Sequence, residues 1–293
     1  MEKIVLLDGY SLMYRAYHAL QSPMSAPDGT PTNAVHGFVM MMIKVIAEER
    51  PDCLAVAFDM HAPTFRKQLF DGYKATRKPM PDDLRMQDPI IRELIARMEI
   101  PILECPGYEA DDILGTASAV CERAGTSVLL VTGDRDSFQL AGAYTTILYT
   151  RKGISDTCRV TPDYVRETYG VSPEQLIDVK SLMGDTSDNI PGVAGVGEKT
   201  ALRLIQTYGS LEGTLAHAET DEKGNKQIGD RVISSDDKIV YIDEQYVITE
   251  SYIRKLLATI RNNGMLYICG SGGSIPSSVM SAFPSDVVFV VAM

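Results

Sequence analysis

Short apolar runs, separated by stretches with helical periodicity, mark the first half of the chain. The runs lack the polar alternation of a half-exposed strand, and they span Lys3 to Leu7, Leu54 to Phe58 and Ser127 to Val131. Such runs are typical of strands in a parallel sheet that is covered on both faces. The helical stretches between them are Thr32 to Arg50, Asp88 to Met98 and Ala110 to Ala124. This alternation predicts an α/β fold with a doubly wound, mostly parallel sheet and a ligand crevice beyond the carboxyl ends of its strands.

After about Thr161 the strand signals fade, and helical segments joined by Gly and Pro take over. These segments are Pro162 to Tyr169, Pro173 to Met183 and Glu198 to Tyr208. We therefore predict a core domain over residues 1–165 and a helical region over residues 166–263. The remaining stretch, 264–293, has Asp286 as its single charged residue and shows no helical periodicity. The hypothesis for this tail is that it is disordered or poorly packed.

The composition is that of a globular protein. A chain of 293 residues has room for one large and one smaller folded unit. The five cysteines are scattered without a CxxC pair, which argues against a zinc site and fits a reducing cytosol. No apolar run approaches the ~20 residues of a membrane span, and no signal peptide is evident. We expect a cytoplasmic protein without a membrane partner, and nothing in the sequence demands more than a monomer.

The distribution of charge matters more than its sum. A formal net charge of −11 argues at first against a nucleic-acid partner. Residues 62–85, the basic segment, nevertheless hold six basic against three acidic residues. Tyr73 lies among cations there, beside Lys74 and Arg77, a pattern typical of surfaces that bind a nucleic-acid backbone and stack on a base. A solvated helix face is the alternative. Arg15 is a candidate phosphate contact, or else a partner for a carboxylate.

Nine carboxylates stand out by their positions at predicted strand ends, in a predicted first helical turn or in a Gly-rich stretch. They are Asp8, Asp59, Glu109, Asp111, Asp112, Asp134, Asp136, Asp185 and Asp188. Singly, each has an ordinary explanation, because acids cap helices and form turns. Together, converging carboxylates without Lys or Arg partners would repel one another unless cations lay between them. Such oxygen ligands suit Mg²⁺ or Mn²⁺ better than Zn²⁺.

The spacing within two acidic pairs bears on the direction in which their side chains point. Asp185 and Asp188 are three residues apart, so in a helix they would project from one face, although a loop with a helix cap is the simpler interpretation. Asp134 and Asp136 would both face the crevice only if the chain turned there. Two ions about 4 Å apart could then activate a water and stabilise both oxygens of a phosphodiester displacement.

A glycine-rich stretch from Ile190 to Ala201 lies directly ahead of a predicted helix. Its amide groups could therefore point at a phosphate. A dinucleotide-binding loop would have to follow a strand, whereas these glycines lie in a helical region. A helix-hairpin-helix that grips a DNA backbone fits better. The plain alternative is that the glycines only join two packed helices.

Five motifs taken together resemble a known family. LLDGYSLMYRAYHAL, VAFDMHAPTFRKQLFDGYKATRKPMP, PGYEADDILGT, LLVTGDRDSFQL and SLMGDTSDNIPGVAGVGEKTA are similar, in this order, to the 5′-3′ exonuclease domain of bacterial DNA polymerase I, a relative of the flap endonucleases. The resemblance covers Met1 to about Gly213 and becomes loose from His217 to Asn263. It implies a PIN-like, Rossmann-like nuclease core with a helical arch at about residues 62–90, followed by a helix-hairpin-helix region.

The resemblance also implies roles for residues. The nine carboxylates match the family's metal-site acids for two Mg²⁺ or Mn²⁺ ions, and the implied catalytic set is Asp59, Lys74, Arg77, Asp111 and Asp134. The implied DNA contacts, with K⁺ as a further ion at the hairpin, are Arg15, Tyr73, Lys74, Arg77, Gly192, Gly195, Val196, Gly197, Lys199 and Thr200. The implied reaction hydrolyses DNA, or RNA in RNA–DNA hybrids, near a free 5′ end or flap. A DNA polymerase, in cis or in trans, is an expected partner.

Two rival interpretations remain open. One is a DNA-structure binding module without catalysis, which would have no use for nine carboxylates facing a polyanion. The other is a PIN-type ribonuclease, which shares the acidic crevice. The hairpin and the basic segment favour a 5′-structure-specific DNA enzyme.

Overall fold

The computed structural model describes residues 3–20, 24–153 and 155–217, and the backbone of five short strands beyond them. The chain divides into two compact units. The first unit comprises the chain up to Ala62 together with Pro79–Thr161 and Tyr246–Met293, and the second comprises Pro63–Lys78 and Pro162–Gln245. The predicted boundaries at 165/166 and 263/264 stay predictions. The tail hypothesis and the loosely similar segment from His217 fall almost entirely outside the described residues.

A six-stranded sheet forms the centre of the first unit, in the order β3-β2-β1-β4-β5-β6. Its strands are β1 Lys3–Asp8, β2 Cys53–Ala57, β3 Ile102–Leu103, β4 Ser127–Thr132, β5 Thr145–Lys152 and β6 Asp156–Val160. All neighbours are parallel except β5 and β6, which pair antiparallel. The prediction of a doubly wound, mostly parallel sheet is therefore confirmed. Because β1 lies between β2 and β4, the carboxyl ends of these three strands meet at one edge.

Nine helices are described in the two units. They are α1 Gly9–Ala19, α2 Asn33–Glu49, α3 Phe65–Leu69, α4 Asp82–Arg97, α5 Ala110–Ala124, α6 Pro162–Tyr169, α7 Gln175–Met183, α8 Glu198–Tyr208 and α9 Leu211–Ala216. A 3-10 helix spans Asp136–Leu140. The short strands beyond are β7 Glu219–Thr220, β8 Lys226–Ile228, β9 Arg231–Ile233, β10 Leu266–Tyr267 and β11 Phe289–Val290. Within the part of the chain that is described, no helix is long and apolar enough to cross a bilayer.

The apolar faces of α1, α2 and α4 bury the core of the first unit. Met13, Phe38 and Ile91 pack there with Leu7 and Val56 of the sheet, each at most 1% exposed. The close fit extends to Gly9, where an added Cβ would lie 2.4 Å from the Phe58 ring. The start of α1 is thus held tightly against the strand end that carries Asp59.

In the second unit, α7 and α8 pack around a hairpin. Leu182, Val193 and Ile205 are buried in its core. A Cβ at Gly192 would lie 2.2 Å from the carbonyl carbon of Met183, so only glycine fits where the hairpin crosses the end of α7. The predicted helices Pro162–Tyr169 and Glu198–Tyr208 are found with the predicted bounds.

Candidate metal centre and nucleic-acid interface

Three of the predicted acids lie at neighbouring strand ends of the first unit. Asp8 is the last residue of β1, Asp59 follows β2, and Asp134 follows β4. Their carboxylates are close enough for the charges of Asp59 and Asp134 to act on Asp8. The edge of the sheet therefore brings together acids that are far apart in sequence.

Asp8 is the most deeply enclosed of these acids, with 6% of its surface exposed. One carboxylate oxygen accepts from the Ser11 amide at 3.0 Å and the other from the Thr132 hydroxyl at 2.7 Å. Burial raises the pKa of Asp8 from 3.8 to about 7; the two hydrogen bonds oppose this shift, and Asp59 and Asp134 add to it. At neutral pH a nearby cation would therefore favour the ionised form.

The acids of α5 cap that helix. Glu109 and Asp112 form a capping box, in which the Glu109 amide donates to Asp112 at 2.8 Å, and both residues are buried. Asp111 lies half-buried in the same first turn. The Ala110 amide donates to Asp59 at 2.6 Å, which joins the end of β2 to the start of α5. The capping interpretation is therefore confirmed for Glu109 and Asp112. The hydrogen bond from Ala110 also places the start of α5 beside Asp59.

The chain does turn between Asp134 and Asp136, which was the condition for both to face the crevice. The Asp136 amide donates to the Asp134 carboxylate at 2.9 Å, and Asp136 opens the 3-10 helix. The Asp134 amide donates to the Thr132 hydroxyl at 3.0 Å, so Thr132 contacts both Asp8 and Asp134. Sequence reasoning missed Thr132.

The described carboxylates do not form a preorganised metal site. Among the residues described, no group of three or more His, Cys, Asp or Glu side chains is arranged to hold a metal ion. Asp8, Asp59 and Asp134 instead accept from backbone amides or from Thr132. The donor set has the oxygen chemistry that Mg²⁺ takes.

Asp185 and Asp188 belong to the second unit and form a turn, so the expectation of one helical face is wrong. The helix ends at Met183, and Asp185 accepts from the amide and hydroxyl of Ser187. The expectation of acids without basic partners is also wrong here. Lys180 donates to Asp185 at 2.8 Å, and Arg77 pairs with Asp188. These pairs join the turn to α7 and to Pro63–Lys78, the part of the basic segment that belongs to the second unit.

Burial opposes ionisation of Asp185, yet hydrogen bonds from Lys180 and Ser187 lower the pKa of Asp185 to about 2. This carboxylate is therefore charged throughout the physiological range. Its environment differs from that of Asp8, whose pKa is raised.

The basic segment includes α3 and a run of turns rather than a continuous helix. Tyr73 is 4% exposed, and the Lys74 ammonium lies 4.9 Å from the centre of its ring. Lys74 has a positive φ of 54°, and its amide donates to the Asp188 carbonyl at 2.8 Å. Stacking of a base on Tyr73 would therefore require this ring to become exposed, whereas Lys74 covers it.

The hairpin of the second unit presents part of its backbone to solvent. Gly195 and Gly197 are exposed, and Gly197 caps the amino terminus of α8, whose first turn carries Lys199 and Thr200. Val196 is different, because its side chain is buried and its amide donates to Val193 at 3.0 Å. Val196 thus anchors the hairpin.

Arg15 extends from α1 toward the loop after β4. It donates to the Arg151 carbonyl at 3.1 Å, and a Cβ at Gly133 would lie 3.1 Å from its Nη2 atom. The absence of a side chain at Gly133 leaves room for this guanidinium directly before Asp134.

A matching sequence profile decides the family. Residues 3–170, more than half of the chain, match the 5′-3′ exonuclease N-terminal resolvase-like domain. The chain belongs to the 5′-3′ exonuclease family. Residues 171–252 match the C-terminal SAM fold of the same family. The resemblance stated above is confirmed, and with it the nuclease class of enzyme.

Relatives and solved structures agree with this assignment. The chain is 49% identical over 226 residues to DNA polymerase I of Bacillus caldotenax, covering 77% of this chain and 25% of the relative. It is 43% identical over 272 residues to DNA polymerase I of Bacillus subtilis, covering 92% and 29%. The chain thus spans between a quarter and a third of the length of these relatives.

In fold, the chain is similar to the flap endonuclease of bacteriophage T5, solved as a pseudo-enzyme-product complex with DNA and metal ions. The TM-score is 0.56 at 20% identity, over 74% of this chain and 79% of that one. This likeness confirms the predicted fold class.

Proposed function

We propose that this chain is a 5′-3′ exonuclease and 5′ flap endonuclease that hydrolyses phosphodiester bonds of DNA, and of RNA paired with DNA. The observation that carries this proposal is the meeting of Asp8, Asp59 and Asp134 at one sheet edge in a chain of the 5′-3′ exonuclease family. The matched relatives are DNA polymerases, which supports a polymerase partner in cis or in trans.

Divalent ions, Mg²⁺ or Mn²⁺ and two in number, are the proposed cofactors. When bound, such ions lower the pKa of a coordinated water and offset charge on the attacking and leaving oxygens. The proposed ligands in the first unit are Asp8, Asp59, Asp134 and Asp136, with Glu109, Asp111 and Asp112 of α5. Burial in the first place, and to a smaller extent the charges of Asp59 and Asp134, raise the pKa of Asp8, and a cation nearby would favour its ionised form. Asp185 and Asp188 stay candidate ligands.

The residues of the chain itself position the substrate. Arg15 lies beside Gly133 and Asp134, where a guanidinium can hold a phosphate oxygen with two hydrogen bonds. Lys74 and Arg77 supply further cations in the second unit, and Arg77 must leave Asp188 to do so. The exposed residues Gly195 and Gly197 lie directly ahead of or at the amino terminus of α8, where amide groups favour a backbone phosphate, and K⁺ is a further proposed ion at this hairpin.

The proposed setting is a monomer in the reducing cytoplasm. In support, the described cysteines form no disulfide.

A cleavage assay tests the function. We expect the full chain with Mg²⁺ to cut a 5′-flapped duplex and release short 5′ fragments, and excess chelator to stop the reaction. Asp134→Asn should abolish cutting, whereas the matched control Asp163→Asn, an exposed acid of α6, should cut like wild type. Flap binding without cutting would support a binding module, and cutting of single-stranded RNA alone would support a ribonuclease; either result overturns the proposal.

A further inference from the structure

A cavity of about 750 Å³ opens in the first unit, and Ser11 and Gly133 are among its lining residues. Ser11 links the cavity to the acids, because its amide donates to Asp8 and its hydroxyl accepts from the Gly133 amide at 2.8 Å. The cavity, called here the α1–β5 cavity, is lined on one side by α1 and on the other by the end of β5.

The charge of the α1–β5 cavity is opposite to that of the neighbouring acids. Arg15 and Lys152 line it, and none of the described lining residues is a carboxylate. This contrast occurs in a chain with a formal net charge of −11. A cationic recess beside a carboxylate cluster suits a polyanion that must be held while one of its phosphates meets the acids.

Two aromatic side chains also line the cavity. Tyr14 and His18, one helical turn apart on α1, both line it. Their ring centres are 6.3 Å apart and their planes differ by 29°, so they form a near-parallel pair. Rings of this kind accept a stacked nucleobase of any identity. The volume lies in the range of pockets of about 300–1,000 Å³ that hold small ligands, which includes a single nucleotide.

We propose that the α1–β5 cavity binds one nucleotide of the substrate strand, with Arg15 and Lys152 holding its phosphate and Tyr14 and His18 stacking on its base. The inference rests on the proposed nuclease function and adds a substrate subsite to it. Tyr14, His18 and Lys152 are the substrate-binding residues that the sequence did not indicate.

Binding without metal separates this subsite from catalysis. Thymidine 5′-monophosphate is titrated by calorimetry into the full chain in excess chelator. We expect Lys152→Ala to raise the Kd about tenfold, as for loss of one charge-assisted hydrogen bond. Lys152→Arg should restore binding. His18→Ala should weaken binding of the nucleotide and leave binding of inorganic phosphate unchanged. Lys152 and His18 are exposed, so these variants should fold.

The matched control is Arg123→Ala, which removes an exposed cation of α5 outside the cavity. In the cleavage assay with Mg²⁺, Lys152→Ala should raise KM for the flapped duplex more than it lowers kcat. Equal nucleotide binding by wild type, Lys152→Ala and Arg123→Ala overturns the subsite even if wild type cuts the flap. Binding that depends on Lys152 in a chain that cuts no substrate supports the subsite and overturns the nuclease function instead.

Discussion

The guanidinium of Arg92 lies over the ring of Phe58, with 4.1 Å between its central carbon and the ring centre. The same side chain donates to Asp88, Glu104 and the Tyr10 hydroxyl. Tyr10 in turn contacts Phe58 edge-on, with 5.2 Å between ring centres. Phe58 precedes Asp59 and Tyr10 follows Asp8-Gly9. Arg92 therefore fixes the two segments that carry these acids, and no sequence signal pointed to it.

Replacement of Arg92 should show this positioning role. We expect Arg92→Met to lower the free energy of unfolding by about 2 kcal/mol, because Asp88 and Glu104 lose their partner in a partly buried site. The variant should also lower kcat with little change in KM, since Asp8 and Asp59 shift together. Urea denaturation and flap cleavage measure the two effects. Arg97→Met, which removes an exposed ion pair on the same helix, should cost less than about 0.5 kcal/mol. Equal losses in the two variants would contradict the role.

Asp8 should make the metal-free protein sensitive to pH. Its folded-state pKa of about 7 is above the ordinary 3.8, so the folded chain holds this proton more tightly than the unfolded chain. The free energy of unfolding should therefore fall as pH rises from 3.8 toward 7 and level off above. Asp8→Asn should be more stable than wild type at pH 8 in chelator, and inactive. Thermal unfolding at pH 5 and pH 8 tests this, and the same pH dependence in both proteins would exclude Asp8 as its source.

The sheet edge could be predicted because a short local sequence pattern marks each of the three strands that end there. Strands β1, β2 and β4 are apolar runs, since parallel strands covered on both faces leave no polar side. Strands β3, β5 and β6 were missed, and β3 is two residues long. β5 carries Thr145, Thr146 and Thr150, and β6 is an edge strand with exposed Asp156 and Arg159. Because polar residues interrupt β5 and β6, neither strand forms the continuous apolar run by which β1, β2 and β4 were predicted.

The partners of the acids were not predictable, because they depend on packing between distant segments. Arg77 and Asp188 pair across 111 residues of sequence, and the Asn189 side chain reaches the Gly72 carbonyl across 117. The burial of Tyr73 follows from the same packing. No spacing rule relates such positions, whereas the turn at Asp134 and the cap at Glu109 involve residues two or three apart.

Replacement by alanine should cost much more stability at one glycine of the hairpin than at another. Gly192→Ala should cost more than about 2 kcal/mol of stability, because its Cβ would overlap the Met183 backbone. Gly197→Ala meets open space and an ordinary φ of −99°, so it should cost less than about 1 kcal/mol as a changed helix cap. It should still weaken binding to a duplex, since its methyl group occupies the approach to the α8 amides. Duplex binding unchanged in a folded Gly197→Ala chain would argue against the hairpin as a phosphate site.

The ion pair between Arg77 and Asp188 should restrain DNA binding when metal is absent. Asp188→Asn removes the charge that neutralises Arg77, so the flapped duplex should bind more tightly to this variant in chelator. Arg77→Ala should bind more weakly and reduce the slope of log K against log salt by about one. Fluorescence anisotropy at several salt concentrations measures both, with Asp163→Asn as the control for loss of an exposed acid. Because that control removes the same formal charge far from Arg77 in sequence, equal tightening in Asp163→Asn and Asp188→Asn would mean that net charge alone governs binding.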